Sequence, residues 1–450
     1  MIRKLKLFFS LIILILLYNC SFDRKSGIWD GYENEKRRVF DLRKKQNETT
    51  NFIKIYFSEN PYNLELNPSK DAILSNPKKN ISWETSNLNL QNSVFNLYLT
   101  GIENNFLKKK IGKDKFESMV GASSPIFFSN SILFADDVGN IFNVSNNGKI
   151  NWKTNIYKKL YKKLNKKLSF SFYKKKIYVA DNVGFIYSIN SDTGELIWIK
   201  NHEASFKSKI KVYDEKIFLV DENNKIICFN SKDGSKIWIV RSIASFIKTQ
   251  SFLGLAVLRT GNVIALTSFG DLIKINSSNG TIIWTLNTTA STYAHAADFF
   301  KSSDVVISNN DVILSTSKST LSFNVNNGYL NWSNDVGSSN LPIVDKNNVF
   351  VVSDNGYFIN IDKLSGKSLW SINLLKVLKV KNQETKITGF VLGSNKIYAT
   401  TLNGYLIVCS AINGNIEYFK KISNKITTSP IINNGSMYLL TEKSKLLGFN

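Results

Sequence analysis

The stretch NSDTGELIWIK, residues 190–200, joins a polar turn to a strand-like segment with a tryptophan four residues after the glycine. Related stretches follow as NSKDGSKIWIV at 230–240 and NSSNGTIIWTL at 276–286. In each, the Asn/Asp/Gly cluster predicts a tight hairpin, where glycine takes a positive φ at little steric cost. The apolar residues that follow predict a β-strand. The chain therefore repeats one β-hairpin unit.

The glycine–aromatic pair occurs seven times, and its aromatic residue recurs every 38 to 48 residues. The pairs are Gly148/Trp152, Gly194/Trp198, Gly234/Trp238, Gly280/Trp284, Gly328/Trp332, Gly366/Trp370 and Gly414/Tyr418. A second turn precedes each aromatic by 13 or 14 residues, at positions 139, 184, 224, 270, 318, 356 and 404. Repeats of this length, each with several strands, indicate the blades of a β-propeller.

We predict an all-β fold, an eight-bladed β-propeller with four-stranded antiparallel blades over residues 76–450. An eighth turn lies near Ser444, but the last repeat, KSKLLGFN, ends at Asn450 without an aromatic strand. The stretch Asn80–Trp83 supplies a spare aromatic residue. We therefore expect an N-terminal strand with Trp83 to close the last blade and leave no open sheet edge. The stretch GIENNFLKKKIGKDKF, within an insertion at about 100–120, is interpreted as an excursion or a short helix.

The repeated glycines and aromatics are interpreted as structural residues. On the outermost strand of each blade, the aromatic would fill the wedge-shaped gap between neighbouring sheets. A catalytic role for so many copies of one motif is implausible.

The N-terminus has the pattern of an export signal. Three cations precede an apolar run from Leu7 to Leu17, which is shorter than the roughly 20 residues of a spanning helix. Cys20 follows this run, as in a bacterial lipoprotein signal. We predict a signal peptide over residues 1–19 and lipidation at Cys20, although Asn19 is unusual at its position. An uncleaved anchor and an ordinary signal sequence are the alternatives. Residues 20–75 are interpreted as a flexible tether.

The net charge of +23 could suit nucleic acid or an anionic membrane. The lysine clusters are scattered among segment ends and form no single stripe, and an exported chain does not meet the genome. We therefore expect no nucleic-acid partner and an attraction to acidic lipid headgroups. Besides Cys20 the chain has only Cys228 and Cys409, and its histidines are His202 and His295. No spacing predicts a metal site or a nucleophilic pair.

The repeated motif resembles the tryptophan-docked repeat of eight-bladed quinoprotein-type propellers. A lipoprotein signal followed by such blades alone resembles the BamB family, the accessory lipoproteins of the outer-membrane β-barrel assembly machine. The resemblance covers about residues 80–450. It implies a non-catalytic scaffold on the periplasmic face of the outer membrane, an assignment that Ser21 after the lipidated cysteine also favours. The implied partners are the POTRA domains of the barrel-forming subunit and unfolded outer-membrane proteins, with no cofactor and no metal.

Two alternatives remain open. One is a generic binding propeller at the cell surface or in the periplasm. The other is a quinoprotein dehydrogenase that uses pyrroloquinoline quinone and calcium. Members of that class typically carry adjacent cysteines near the cofactor. Cys228 and Cys409 would instead lie in blades 3 and 7, beyond the roughly 7 Å reach of a disulfide.

Two long loops between blades, residues 240–262 and 287–304, combine apolar and basic residues. In the resembled family, loops of this region contact the barrel-forming subunit, and loops carry recognition in propellers generally. From composition alone we expect partner contacts from Phe246, Ile247, Lys248, Tyr293, Phe299, Phe300 and Lys301. Apolar anchors beside cations suit an acidic protein partner. The alternative is that these aromatic residues are buried, with Phe299 and Phe300 beginning the next inner strand.

Overall fold

The computed structural model describes residues 32–51, 62–68, 70–113, 115–116, 124–242, 253–288, 302–378 and 385–450. In these residues the strands form eight sheets, each of four antiparallel strands. The predicted eight-bladed β-propeller is confirmed.

The first four blades take their strands in chain order, from the innermost strand to the outermost. Blade 1 comprises β2 (Ile126–Phe128), β3 (Ser131–Ala135), β4 (Ile141–Ser145) and β5 (Ile150–Thr154). Blade 2 comprises β6 (Leu168–Tyr173), β7 (Lys176–Asp181), β8 (Phe185–Asn190) and β9 (Leu196–Asn201). Blade 3 comprises β10 (Lys211–Tyr213), β11 (Lys216–Val220), β12 (Lys225–Asn230) and β13 (Lys236–Arg241). Blade 4 comprises β14 (Leu255–Val257), β15 (Val263–Leu266), β16 (Asp271–Ile275) and β17 (Ile282–Asn287).

The next three blades follow the same order. The eighth blade combines three C-terminal strands with one N-terminal strand. Blade 5 comprises β18 (Val306–Ser308), β19 (Asp311–Ser315), β20 (Thr320–Asn324) and β21 (Leu330–Asn334). Blade 6 comprises β22 (Ile343–Asp345), β23 (Asn348–Val352), β24 (Tyr357–Asp362) and β25 (Ser368–Asn373). Blade 7 comprises β26 (Ile387–Gly393), β27 (Lys396–Thr401), β28 (Tyr405–Ser410) and β29 (Ile416–Lys421). Blade 8 comprises β30 (Ile431–Asn433), β31 (Ser436–Thr441), β32 (Lys445–Phe449) and β1 (Leu107–Lys110).

An N-terminal strand closes the last blade, as expected, but it is β1 and not the strand at Trp83. Leu107 lies opposite Gly448 and Lys110 lies opposite Lys445. The prediction that Trp83 pairs near Leu446 is wrong, because Trp83 pairs with Phe127 on the inner strand of blade 1. The stretch interpreted as an excursion or helix therefore contains the closing strand. Its sequence, LKKK, buries only the leucine and lacks the alternation that would have revealed it.

The outer-strand tryptophans lock each blade to the next. A Cβ placed on Gly194 would lie 2.6 Å from the ring of Trp152, so only glycine leaves room for the ring there. The Trp152 indole Nε1 also donates to the carbonyl of Ser191, 2.9 Å away. The same packing joins the tryptophan of each earlier blade to the glycine of the next, with pairs Trp198/Gly234, Trp238/Gly280, Trp284/Gly328, Trp332/Gly366 and Trp370/Gly414.

The motif weakens from blade 6 onward, toward the point where the ring closes. Trp370 is fully buried, yet its indole nitrogen has no hydrogen-bond partner in the described residues. Tyr418 is 43% exposed. Gly148 of blade 1 faces Leu107 and Lys109 of the closing strand in place of an aromatic ring. Aliphatic packing therefore replaces the aromatic lock between blades 8 and 1.

Part of the segment predicted as a tether is packed against the ring. Helix α1 (Tyr32–Asn51) buries Val39 and Leu42 in the core cluster of blades 1 and 2. Residues 62–66 run along the outer edge of blade 6, where Leu66 and Ser371 exchange backbone hydrogen bonds of 2.9 and 3.0 Å. The prediction of a flexible tether is wrong for these two stretches. No helix in the described part of the chain is long and apolar enough to cross a membrane.

Candidate functional site

Residues 72–100, here called the central segment, start at the outer hairpin of blade 7, where Ala72 bonds to Ile412, and run on to the inner strands of the ring. The segment forms hydrogen bonds with all eight blades. Representative pairs, blade 1 to blade 8 in order, are Trp83 with Phe127, Glu84 with Phe172, Asn89 with Lys211, Leu90 with Val257, Gln91 with Ile307, Ser75 with Asp345, Leu97 with Leu392 and Thr100 with Gly435. The central segment thus ties the eight blades together near the axis, where a propeller leaves a channel.

Asn92 joins the central segment to three blades. It is fully buried and its amide nitrogen donates to the carbonyls of Leu255 (3.0 Å) and Val305 (2.8 Å). Its amide oxygen accepts a hydrogen bond from Lys211 on the inner strand of blade 3. Asn92 has a φ of 56°, a left-handed conformation that asparagine tolerates better than most residues. One side chain therefore links blades 3, 4 and 5.

Lys211 is the buried cation of this network. Its ammonium donates to the Asn89 carbonyl at 2.9 Å as well as to Asn92. Burial lowers the pKa of Lys211 to about 7, and attraction to Asp304 offsets only part of that effect. A buried ammonium is tolerated only where acceptors surround it, and the central segment supplies them. Lys211 thus holds that segment in place.

A second cation lies nearby. The Lys209 ammonium is 3.6 Å from Asp304 and donates to the Asn87 side-chain oxygen at 2.8 Å. Asn87 in turn donates to Asp304, whose other oxygen accepts the backbone N–H groups of Leu255 and Val305. Every charged group of this network has an opposite charge or a hydrogen-bond partner.

The opposite side of the central segment is mainly apolar. Trp83, Val94, Leu97 and Leu99 are all buried in one cluster with the inner strands of blades 1, 7 and 8. Amides of the segment also reach this side, because Asn80 donates to the carbonyl of Ile432 and Asn96 donates to the side chain of Asn395.

This arrangement does not fit a quinone cofactor with calcium. The described residues contain no group of three His, Cys, Asp or Glu side chains able to hold a metal ion. Cys228 and Cys409 are separate, free and buried in blades 3 and 7.

Aspartates cap the turn between the second and third strands in several blades. Asp181 accepts the backbone N–H groups of Val183, Gly184 and Phe185 at 2.8 to 2.9 Å. Asp136 and Asp221 accept N–H groups in the equivalent turns of blades 1 and 3. Asp354 differs, because it accepts the N–H of Ser339 in the preceding loop. Burial raises the pKa of Asp181 to about 6, and the hydrogen bonds oppose that rise.

The residues predicted for lipidation and partner binding lie outside the described residues. They are Cys20, Phe246, Ile247, Lys248, Tyr293, Phe299, Phe300 and Lys301. The two loops that carry the proposed contacts leave blades 3 and 4 at the same face of the ring as helix α1.

Sequence reasoning missed the central segment. Its Asn-rich run with interspersed apolar residues, NSVFNLYL at 92–99, was the available signal. Such a pattern suits a segment that forms side-chain hydrogen bonds through its asparagines and packs through its apolar residues. The pattern does not show which strands the segment contacts.

Comparison with known proteins places this architecture among related propellers. The sequence profile of the family described as "Outer membrane protein assembly factor BamB" matches residues 136–372, which is more than half of the chain. A search of curated proteins found no match.

Three solved structures share the fold. BamB from Moraxella catarrhalis aligns with a TM-score of 0.60 at 11% identity, over 76% of this chain and 100% of that one. A quinohemoprotein alcohol dehydrogenase from Pseudomonas putida HK5 aligns with a TM-score of 0.60 at 9% identity, over 82% and 80%. The computationally designed Ika8 protein aligns with a TM-score of 0.59 at 11% identity, over 78% and 99%.

At such identities the structural likeness shows the fold alone, and it includes an enzyme as well as BamB. The sequence profile match over residues 136–372 extends from blade 1 to blade 6. This chain belongs to the BamB family of outer membrane protein assembly factors.

Proposed function

We propose that this protein is a non-catalytic, lipid-anchored scaffold that assists the assembly of β-barrel proteins into the outer membrane. It would act on the periplasmic face of that membrane by binding the barrel-forming subunit of the assembly machine. Membership of the BamB family supports this role, and the signal peptide predicted over residues 1–19 agrees with it.

The observation that carries the proposal is the central segment, which bonds to all eight blades. An enzyme needs a cavity in which substrate and catalytic groups meet. Here Asn92, Lys211 and their partners use the axis for structural hydrogen bonds. The loops between blades are then the parts of the chain left for recognition.

The rival function, a quinone-dependent dehydrogenase, makes a distinct prediction. Calorimetric titration of the protein with pyrroloquinoline quinone and calcium should give no binding at micromolar concentrations. Micromolar affinity would show that the central segment moves aside for a cofactor and would overturn the proposal.

The partner can be tested directly. Replacing Phe246 and Lys248 together with alanine should weaken capture of the barrel-forming subunit from detergent-solubilised membranes, with little change in thermal stability. A matched control replaces Phe419 and Lys421, an exposed aromatic and a lysine on β29, and should leave capture unchanged. Lost folding in the first variant would show that Phe246 is a core residue. Unchanged capture would favour a generic binding propeller.

The anchor has its own test. Mass spectrometry of the membrane-extracted protein should detect a diacylglyceryl group on Cys20 and no residues before it. An unmodified Cys20 would remove lipid anchoring from the proposal.

A further inference from the structure

Helix α1 packs on the ring through one face only. Val39 and Leu42 are buried, and Arg38 donates to the carbonyl of Val183 in the turn between the second and third strands of blade 2. Gln46 exchanges hydrogen bonds of 3.0 and 3.1 Å with Asn165. These contacts fix the rotation of the helix, because residues 38, 39, 42 and 46 lie along one side.

The opposite side of α1 exposes a large apolar residue among cations. Phe40 is 67% exposed. Arg37 and Arg43 lie three residues before and after it, so they share its side of the helix, and both are exposed. Asp41 is an acidic neighbour on that side. This side of the helix thus offers one apolar ring and two cations to an anionic membrane interface.

A second basic element adjoins the helix. The 3-10 turn Lys159–Lys163 contacts α1 through Tyr161, whose hydroxyl donates to Glu35 at 2.7 Å. Three lysines of this turn are exposed, namely Lys159, Lys162 and Lys163. The Lys115 ammonium lies 3.5 Å from the carbonyl of Lys162 and extends the same surface. We call Arg37, Phe40, Arg43, Lys115 and these three lysines the α1 surface.

We propose that the α1 surface docks on an anionic phospholipid bilayer and so orients the propeller relative to the membrane. This inference rests on the proposed function, which places the chain at the membrane that holds the lipid anchor on Cys20. Helix α1 begins 12 residues after that cysteine. That length spans at most about 40 Å, which keeps the helix close to a lipid anchor. Each cation near an anionic surface strengthens binding several-fold, and Phe40 can insert at the headgroup level.

Vesicle flotation tests the inference. The chain from Ser21 onward, which keeps every described residue, is mixed with vesicles of phosphatidylethanolamine and phosphatidylglycerol or of phosphatidylcholine alone. We expect binding to the anionic vesicles that weakens as salt is raised. Absence of binding to the anionic vesicles at low salt would overturn the inference.

Matched variants locate the surface. Replacing Lys159, Lys162 and Lys163 together with alanine should reduce partitioning by at least about tenfold, and Phe40→Ala should reduce it measurably. The control replaces Lys149, Lys236 and Lys367, which lie at the hairpins between third and fourth strands, on the other face of the ring. The control should change partitioning by less than about twofold. Equal losses in both triple variants would show unspecific charge attraction and would contradict the proposal.

The two proposals can fail separately. Capture of the barrel-forming subunit is measured in detergent, without a bilayer. Lost vesicle binding with capture retained by the wild-type chain would overturn the membrane surface alone. If the lysine variant loses capture but keeps vesicle binding, the α1 surface is a protein interface. Failure of wild-type capture with vesicle binding retained would overturn the proposed function alone.

Discussion

At the scale of single residues, the most informative groups are polar side chains buried at the ring axis. Lys211 illustrates the balance. Its ammonium loses hydration, which disfavours the charged form, yet it binds the oxygens that the central segment presents. The stability of the protein should therefore depend on the protonation of this one lysine.

The predicted pH dependence follows from the pKa of Lys211, about 7 in the folded protein against an ordinary value of 10.5. Between these values the unfolded chain binds the proton more tightly, so the free energy of unfolding should rise with pH. The slope from this group is at most about 1.4 kcal/mol per pH unit. Urea unfolding at several pH values above 7 should show a shallower rise for Lys211→Met. Equal slopes would mean that Lys211 keeps its ordinary pKa.

The glycine of the repeat gives a second test at this scale. Gly366 has a φ of 72°, and an added Cβ would lie 2.6 Å from the Trp332 ring. Gly414 has a similar φ of 78°, but its nearest contact would be 3.0 Å. Both alanine variants should lose about 1–2 kcal/mol to backbone strain. Gly366→Ala should lose about 1 kcal/mol more, because a ring must move. Thermal unfolding would show the order, and an inverted order would contradict the proposed lock.

At the scale of elements, ring closure depends on a strand with almost no sequence signature. Strand β1 presents three lysines to solvent, which suits an outermost strand because charges discourage pairing with another molecule. The stretch at Trp83 has the stronger strand pattern, and the structure uses it at the ring centre instead.

A disulfide would test the closing pair. Lys110 and Lys445 are directly opposite in β1 and β32, so Lys110→Cys with Lys445→Cys should oxidise readily. Because this disulfide links residues far apart in the chain, it should stabilise the folded ring by up to about 5 kcal/mol. Reduction of the disulfide should remove that stabilisation. The control pair Ile81→Cys with Lys445→Cys should not cross-link, because residues 80–83 do not form the closing strand that their sequence pattern predicted. Cross-linking of the control pair would contradict the observed closure.

At the scale of the whole molecule, the central segment makes the ring one cooperative unit. Tryptophan locks join blades 1 to 7 in sequence, and all eight blades also bond to the central segment. A repeat array without such a centre would lose cooperativity between distant repeats more easily.

Asn92→Ala should reveal this coupling. The change leaves two buried carbonyls and the Lys211 ammonium short of a partner, which should cost at least about 3 kcal/mol. Unfolding should remain a single transition at lower temperature when followed by calorimetry. Asn89→Ala is the control, because the Asn89 side chain bonds only to Ser93 within the segment. Separate transitions for blades 3 to 5 would argue against coupling through the axis.

The sequence by itself determined the blade architecture, the positions of the hairpins and the packing role of the glycine–tryptophan pairs. These features are local, since turn chemistry and strand alternation are properties of neighbouring residues. Only the tertiary structure decided which N-terminal stretch closes the ring, what fills its axis and where helix α1 packs. These features depend on contacts between residues far apart in the chain. Several stretches look alike in sequence, and the one that buries its apolar residues and satisfies its hydrogen bonds at a given surface is the one that packs there.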